Sequence, residues 1–447
     1  MEHTISNKEV HVYHASAGTG KTAELMNIIG KHVEEGIPLH RVAFVTFTRA
    51  AAQVAQERIC KKYGVTLKDA PNFRTIHSMC FRAVGAKADK MMDEEKYEDF
   101  GVKAGYVFGK MGGKRTLEEV DWTNMSDAQL VAFEQLYRNN KKYAQWLYDT
   151  KVDGIDFTRY CKEYTKYKKT FGYMDFTDLL QKYIEQDCME DVDIACIDEA
   201  QDCSPLQWQV LIKAFRNCKT IYIVGDDKQM IYSFSGSDSY ILTHMKGISH
   251  IMERSWRVPE NILRFVQRHI VSDMKDIVQT SPIADKKGGT ISYINGMQEL
   301  SKYNFQKSYF FLARNKKFLK LYVEWAEEHF IPYRLLGTPQ WSDRDKQEFR
   351  DGKTQDWVPD KLKLAQQYYA HNTFYMTPNL DIETIHGVKG DEADIVVLMT
   401  DLSRLTWKEY KEDPNNEHKV FYVGCTRAKE ELYIMENQTP KYYEYLF

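Results

Sequence analysis

The chain has 447 residues, 43% of them hydrophobic and 13% aromatic, with a net charge of −3; the length suits about three domains, and the charge excludes a uniform positive coat, so any polyanion must be held in a local groove. The polar opening MEHTISNKEV argues against a secretory signal, and no apolar run nears the roughly 18 residues of a membrane span. Eight cysteines without a C-x-x-C pair read as reduced thiols rather than metal ligands, so the expectation is a soluble cytoplasmic protein with no membrane partner.

The first predicted strand is Val10–His14 and the first predicted helix is Ala23–Val33. Between them runs Ala15-Ser16-Ala17-Gly18-Thr19-Gly20-Lys21-Thr22. A glycine-rich turn between strand and helix points backbone N–H groups at an anion and sets the helix N-terminus beneath it. Lys21 then reaches the β- and γ-phosphates of a nucleotide, and Thr22 ligates Mg²⁺. Ala15 stands where the usual pattern has its first glycine, and a small residue still permits the turn.

A second strand is expected at Val42–Phe47. Residues 84–184 are charged, aromatic and helix-rich, with few strand signals, and read as an inserted helical subdomain. Within them FTRYCKEYTKYKKTFGY (157–173) is basic and aromatic. Tyr160, Tyr164, Tyr167 and Phe171 recur at spacings of three and four, which lines one helix face. The tract suits a packing stripe with a solvated lysine face, and lysines touching phosphates is the competing reading.

The strand Ile194–Ile197 delivers Asp198 at its C-terminal end, where a second carboxylate holds Mg²⁺ through water, and Glu199 is placed to position or deprotonate an attacking water. A buried acidic pair is costly without a cation. The next strand, Ile221–Val224, ends in Gly225-Asp226-Asp227-Lys228-Gln229, so Gln229 can contact a γ-phosphate from the sheet's end. Tyr232 and Phe234 follow at once; read alone they suit a core, and a surface that stacks a flat ligand such as a base is the competing reading. Further strands are expected at Tyr309–Leu312, Ile395–Met399 and Leu432–Ile434, with a small irregular insertion at 337–378. Short apolar strands alternating with helical patterns predict an α/β fold of parallel sheets covered on both faces.

These residues bring a family into view. ASAGTGKT (15–22), FTRAAAQVAQERI (47–59), TIHSMCFRAV (75–84), DFTDLL (175–180), IDEAQD (197–202), VGDDKQMIYSFSG (224–236), MERSWRVPENIL (252–263), TIHGVKGDEADIVVL (384–398) and VFYVGCTRAKEELYI (420–434) follow one another. In content and order the chain resembles the superfamily 1 DNA helicases of the UvrD/Rep/PcrA type. The resemblance implies two RecA-like P-loop domains: a first at 1–83 and 185–250 with the helical insertion 84–184, and a second at 251–336 and 379–447 with the small insertion 337–378. It implies ATP and Mg²⁺, with Thr22 and Asp198 at the metal. Lys21, Asp198, Glu199 and Gln229 would serve catalysis, and Arg257 and Arg427 would act as arginine fingers from the second domain. Trp256 occupies the adenine-stacking position, and Gly390 and Glu392 lie in the segment near the ribose. Phe47, Thr48, His77, Tyr232, Phe234, Thr384 and His386 would form the DNA track.

The implied activity is ATP-driven 3′→5′ movement on single-stranded DNA with duplex unwinding, in replication, repair or recombination. Single strands, single-strand/duplex junctions and replication or recombination proteins would be the partners of a monomer in a bacterial or virus-infected cell. A translocase that displaces proteins or remodels recombination filaments with weak unwinding is the alternative, and a non-hydrolysing DNA-binding module a more distant one. The chain departs from the family in three places. No glutamine precedes Gln53, so the adenine-reading segment is missing and nucleotide choice is open. The second insertion is short. Little chain follows the last motif, and a packed tail at Tyr442, Tyr443 and Tyr445 is expected ahead of a strand-separating wedge.

Overall fold

The computed structural model describes residues 8–108, 117, 120, 122, 125–152, 156–300 and 303–447; the first seven residues of the polar leader and parts of the expected helical insertion lie outside these. Two compact units are present. One comprises Met1–Ser16, Gly20–Glu253 and Asp276–Thr280, and the other Ala17–Thr19, Arg254–Lys275 and Ser281–Phe447.

The first unit is built on a six-stranded parallel sheet. Its strands are β1 (Glu9–His14), β2 (Val42–Thr46), β3 (Phe73–Thr75), β4 (Ile194–Ile197), β5 (Thr220–Gly225) and β6 (Ile248–Ile251), in the order β3-β2-β4-β5-β1-β6. The sheet is covered by α1 (Lys21–Glu34), α2 (Arg49–Tyr63), α3 (Ile76–Ala83) and further helices. Strands β2, β4 and β5 are buried at every residue, as expected of a parallel sheet with helices on both faces. One face packs Val12, Ala43, Val45, Ala195 and Ile223. The other packs Phe44, Cys196 and Val224 against Leu25 and Ile29 of α1. The short strands β3 and β6 carry no alternation that sequence reading can detect, and they are recognised only by their pairing with β2 and β1.

Between α3 and β4 the described chain is helical: α4 (Glu94–Ala104), α5 (Asp127–Asn139), α6 (Lys141–Thr150), α7 (Phe157–Phe171) and α8 (Phe176–Glu185). In α7 the expected stripe is observed as packing. Tyr160, Tyr164 and Tyr167 are buried against Tyr97 and Phe100, and Phe171 at its end is exposed. Lys168 on the same helix turns inward to Asp175 and Asp178 at 2.7 and 2.6 Å, while Lys162, Lys166 and Lys169 are exposed. After β4 come α9 (Pro205–Ala214), β5, α10 (Ser239–Thr243) and β6.

The second unit opens with β7 (Arg254–Ser255), α11 (Glu260–His269) and β8 (Ile283–Ala284), β7 and β8 forming a two-stranded parallel pair. Its main sheet uses β9 (Thr290–Ile294), β10 (Tyr309–Ala313), β11 (Tyr333–Leu335), β12 (Thr338–Pro339), β13 (Leu380–Thr384), β14 (Ala393–Met399) and β15 (Ala428–Met435). The order is β12-β11-β13-β10-β14-β15-β9, parallel except for β11–β12. Four helices complete the main body and its insertion: α12 (Leu319–Glu328), α13 (Asp343–Arg350), α14 (Pro359–Ala370) and α15 (Arg404–Glu412), followed by α16 (Asn415–Cys425) before β15. The segment around α13 and α14 has its own small core of Trp341, Ala365, Tyr368 and Phe374. Tyr368 also ties it to the larger body, its hydroxyl donating to the Ile331 carbonyl at 3.2 Å. The C-terminal tail is packed: Tyr443 is fully buried, stacks on Phe421 with centroids 4.1 Å apart, and meets His418 Nδ1 through its hydroxyl at 2.7 Å.

Candidate functional site

In the first unit the C-terminal ends of three neighbouring strands lie along one edge of the sheet, β1 and β5 ending level and β4 a little short of them. His14 of β1 pairs with Gly225 of β5, and Ile197 of β4 pairs with Ile223 of β5. Ligands of open parallel sheets bind beyond the carboxyl ends of the strands, and the three candidate segments leave from that edge.

The phosphate loop connects β1 to α1. Ala15 N–H donates to the Gly225 carbonyl at 2.9 Å, which ties the loop's first residue to β5. Ala15, Ser16, Ala17 and Thr19 are buried, and Gly18 and Gly20 take φ of +73° and +80°, a region costly for residues with a Cβ. The N-cap of α1 is Gly20 with no side-chain cap. Gly20 thus brings no side chain to the start of the helix, and a helix N-terminus of this kind is the arrangement that receives an anion.

Lys21 Nζ lies 3.4 Å from Glu199 Oε1, and the Thr22 hydroxyl donates to Asp198 Oδ2 at 2.7 Å. Asp198 is anchored by its own N–H to the Val45 carbonyl at 2.8 Å. Burial, and next the neighbouring Glu199 charge, push the Asp198 carboxyl above the usual range, while Thr22 and Lys21 oppose the rise. Glu199 takes φ +53°, an uncommon backbone for a residue with a long side chain. Such strain concentrates at functional sites. Gln201, which sequence reading did not single out, donates from Nε2 to Glu199 Oε2 at 2.5 Å and accepts the Asp226 N–H at 3.0 Å on Oε1. Gln229 Nε2 in turn donates to Asp226 Oδ2 at 2.6 Å. Lys21, Glu199, Gln201, Asp226 and Gln229 thus form a continuous polar chain. Gln201 was visible in IDEAQD, but its role as the bridge depends on geometry.

The candidate base-stacking residues divide between the units. In the first, Phe47 is 37% exposed, and its ring lies against Tyr232. Tyr232 meets Phe234 edge-on at 6.0 Å, and Phe234 packs on the helical cluster of Phe100 and Tyr160. Of the two open readings, core and surface, neither is complete, since Tyr232 and Phe234 are both half-buried. Thr48 is exposed and caps α2 by accepting the Ala51 N–H at 3.2 Å. His77 meets Phe176 edge-on at 5.5 Å.

In the second unit Thr384 and His386 are buried, and Thr384 Oγ1 accepts the Gly387 N–H at 3.2 Å. Trp256 is 55% exposed, with the Arg254 guanidinium 5.3 Å from its ring. Arg257 Nε pairs with Glu392 Oε2 at 2.5 Å. Arg427 is buried, donating from Nε to the Val423 carbonyl at 3.0 Å and from Nη1 to the Asp391 carbonyl at 3.2 Å. Gly390 and Glu392 line a cavity of about 540 Å³ together with Arg334, Asp381 and Glu383.

Among the described residues no helix is long and apolar enough to cross a membrane. The family model for the UvrD/REP helicase N-terminal domain matches residues 2–248, and the UvrD-like helicase C-terminal domain matches residues 362–439. A probable DNA helicase II homolog of Mycoplasma genitalium is 24% identical over 295 residues, covering 60% of this chain and 41% of that protein. The ATP-dependent DNA helicase PcrA of Staphylococcus aureus is 22% identical over 314 residues, covering 65% of this chain and 42% of its own. The RecBCD enzyme subunit RecB of Mycolicibacterium smegmatis is 24% identical over 308 residues, with 55% and 28% covered. The chain spans less than half the length of these curated relatives.

Proposed function

The chain belongs to the UvrD/REP helicase family, and on that premise we propose that it is an ATP-dependent DNA helicase that moves 3′→5′ on single-stranded DNA and unwinds duplex ahead of it. The observation that carries this reading is the union of two pairs at the strand ends: Lys21 with Glu199, and Thr22 with Asp198.

Each residue has a physical task. The N-terminus of α1 and the Lys21 ammonium bind the β- and γ-phosphate oxygens. Glu199 receives the proton of the water that attacks the γ-phosphorus, as the bond from that phosphorus to the ADP oxygen breaks. Gln201 holds the Glu199 carboxylate in place through its amide. Gln229 reads the γ-phosphate, and its link to Asp226 sets its starting position. Thr22 and Asp198 offer hard oxygen donors that suit Mg²⁺, and a cation there would relieve the burial of the Asp198 charge. Bound at these residues, Mg²⁺ supplies charge neutralisation to the phosphate oxygens. We assign Arg257 and Arg427 to the phosphoryl charge that spreads during transfer, because a planar cation with several donors stabilises it.

For DNA we assign Phe47, Thr48, His77, Tyr232, Phe234, Thr384 and His386, with Trp256 at the adenine and Gly390 and Glu392 near the ribose. Stacking on aromatic rings is indifferent to sequence, which lets a chain of net charge −3 hold a polyanion locally. Single-strand/duplex junctions, met in the cytoplasm during replication, repair or recombination, are the proposed substrates, acted on by a monomer.

The test is directional unwinding of 3′- and 5′-tailed duplexes, with each nucleoside triphosphate supplied in turn, beside ATPase measured with and without single strands. Unwinding from the 3′ tail with strand-stimulated hydrolysis is the expected result. Hydrolysis indifferent to DNA would overturn the reading.

A further inference from the structure

The short segment Asp276–Thr280 belongs to the first unit, although the chain on both sides of it belongs to the second. Just before it, Lys275 is pinned within the second unit: its N–H donates to Asn415 Oδ1 at 2.8 Å, and its carbonyl accepts from Asn415 Nδ2 at 3.2 Å. Asp276 then takes φ +55°, a left-handed turn that starts the excursion.

Two bonded positions fix this strap to the proposed nucleotide site. Val278 N–H donates to Asp227 Oδ2 at 2.6 Å, and the Val278 carbonyl accepts from Lys228 Nζ at 3.4 Å. Lys228 is fully buried, with Asp227 Oδ1 at 3.1 Å and Asp226 Oδ1 at 3.6 Å. Two residues on, the buried Thr280 hydroxyl meets the buried Ser16 hydroxyl at 2.8 Å. Ser16 is in the phosphate loop, and Asp226–Gln229 carries the residue proposed to read the γ-phosphate.

We propose that Asp276–Thr280 is a positioning strap for ATP hydrolysis: Thr280 holds the phosphate loop through Ser16, and Val278 holds the Asp226–Gln229 turn through Asp227 and Lys228. The two loops are thereby kept at a fixed spacing beyond the ends of β1 and β5. The strap touches neither phosphate nor water; it sets where Gln229 stands relative to the loop that cradles the phosphates. This inference rests on the assignment of the site to ATP hydrolysis.

Thr280→Val keeps the shape of the side chain and deletes its hydroxyl. The expected result is a kcat for strand-stimulated ATP hydrolysis lower by about five- to tenfold, the scale of one buried neutral hydrogen bond lost in the transition state, with KM for ATP little changed. Thr280→Ser, which restores the hydroxyl, should recover most of the loss; a role confined to packing would instead spare Val, which keeps the shape, and impair Ser, which lacks the methyl. Asp227→Ala removes the acceptor of the Val278 N–H, and the double variant Thr280→Val/Asp227→Ala should cost little more than the worse single one, since both release the same strap. Wild-type kcat in Thr280→Val, or losses that multiply in the double variant, would overturn the strap. Lys21→Ala, measured in parallel, separates the two claims: activity retained in that variant defeats the site assignment itself, whereas a dead Lys21→Ala beside a fully active Thr280→Val defeats the strap alone.

Discussion

Phe47 and Tyr232 lie face to face, their ring centroids 5.8 Å apart and their planes within 11°. One ring follows β2, and the other follows the turn that carries Gln229. A ring that rests on another is held flat at little further entropic cost, and a flat exposed ring is what an unpaired base stacks on. Phe47→Ala is expected to weaken single-strand binding by about 1–3 kcal/mol, the usual worth of one base–aromatic stack, equally for different base compositions. Fluorescence anisotropy with labelled homopolymers measures this. An unchanged affinity would remove Phe47 from the DNA track.

The Glu199 carboxylate sits between the Lys21 ammonium and the Gln201 amide. Glu199→Gln keeps its size and removes its ability to take a proton. Hydrolysis should fall by roughly 10²–10⁴-fold, the range of a positioned general base, while nucleotide binding persists because the phosphate loop is intact. Single-turnover hydrolysis and equilibrium binding of a labelled ATP analogue distinguish the two effects. Equal loss of both would mean that Glu199 acts in the fold and not in the chemistry.

His77 packs edge-on against Phe176. Burial lowers its pKa to about 4, with the Asp175 charge opposing the shift. The imidazole is therefore neutral at physiological pH, so in its proposed place on the DNA track it would offer stacking or a hydrogen bond and not a counter-charge. A folded pKa below the unfolded value of about 6.5 gives stability that is present in full above that value and is lost as the pH falls toward 4. The melting temperature of the wild type should thus drop relative to His77→Gln across that window, and the two should run parallel above pH 7. The salt dependence of single-strand binding should be the same for both proteins, since no charge is removed.

Legibility in the sequence followed how local the physics is. Gly18, Gly20, Lys21 and Thr22 stand together because one turn must present several donors to one anion, and that requirement leaves a contiguous trace. Asp198 and Glu199 were legible because a fully apolar strand ending in two acids has few other uses. The α7 stripe followed from helical spacing, although the inward turn of Lys168 did not, because its partners Asp175 and Asp178 lie at the N-cap and in the first turn of another helix. Thr280 left no trace at all: its partner Ser16 is 264 positions away, and one hydroxyl meeting another imposes no pattern on either neighbourhood. The left-handed backbone of Glu199 was equally hidden, because the surrounding fold and not the residue type enforces it.

Arg138 anchors the helical region through three carboxylates: Glu134 at 2.8 Å, Asp175 at 2.5 Å and Asp178 at 2.7 Å. Burial drives the Asp175 carboxyl toward the neutral form, yet Arg138 and Lys168 together hold it well below the usual carboxylate range. Burial raises Glu134 in spite of Arg138. Arg138→Ala would leave Asp175 and Asp178 to Lys168, and removing one member of a buried charge network costs about 3–5 kcal/mol. Arg159 makes a superficially similar pair with Glu163 at 3.0 Å, but its side chain is 63% exposed, where such pairs contribute little. Thermal unfolding should therefore show a large drop in melting temperature for Arg138→Ala and almost none for Arg159→Ala. Comparable effects of the two would mean that the buried network is not what holds α5, α7 and α8 together.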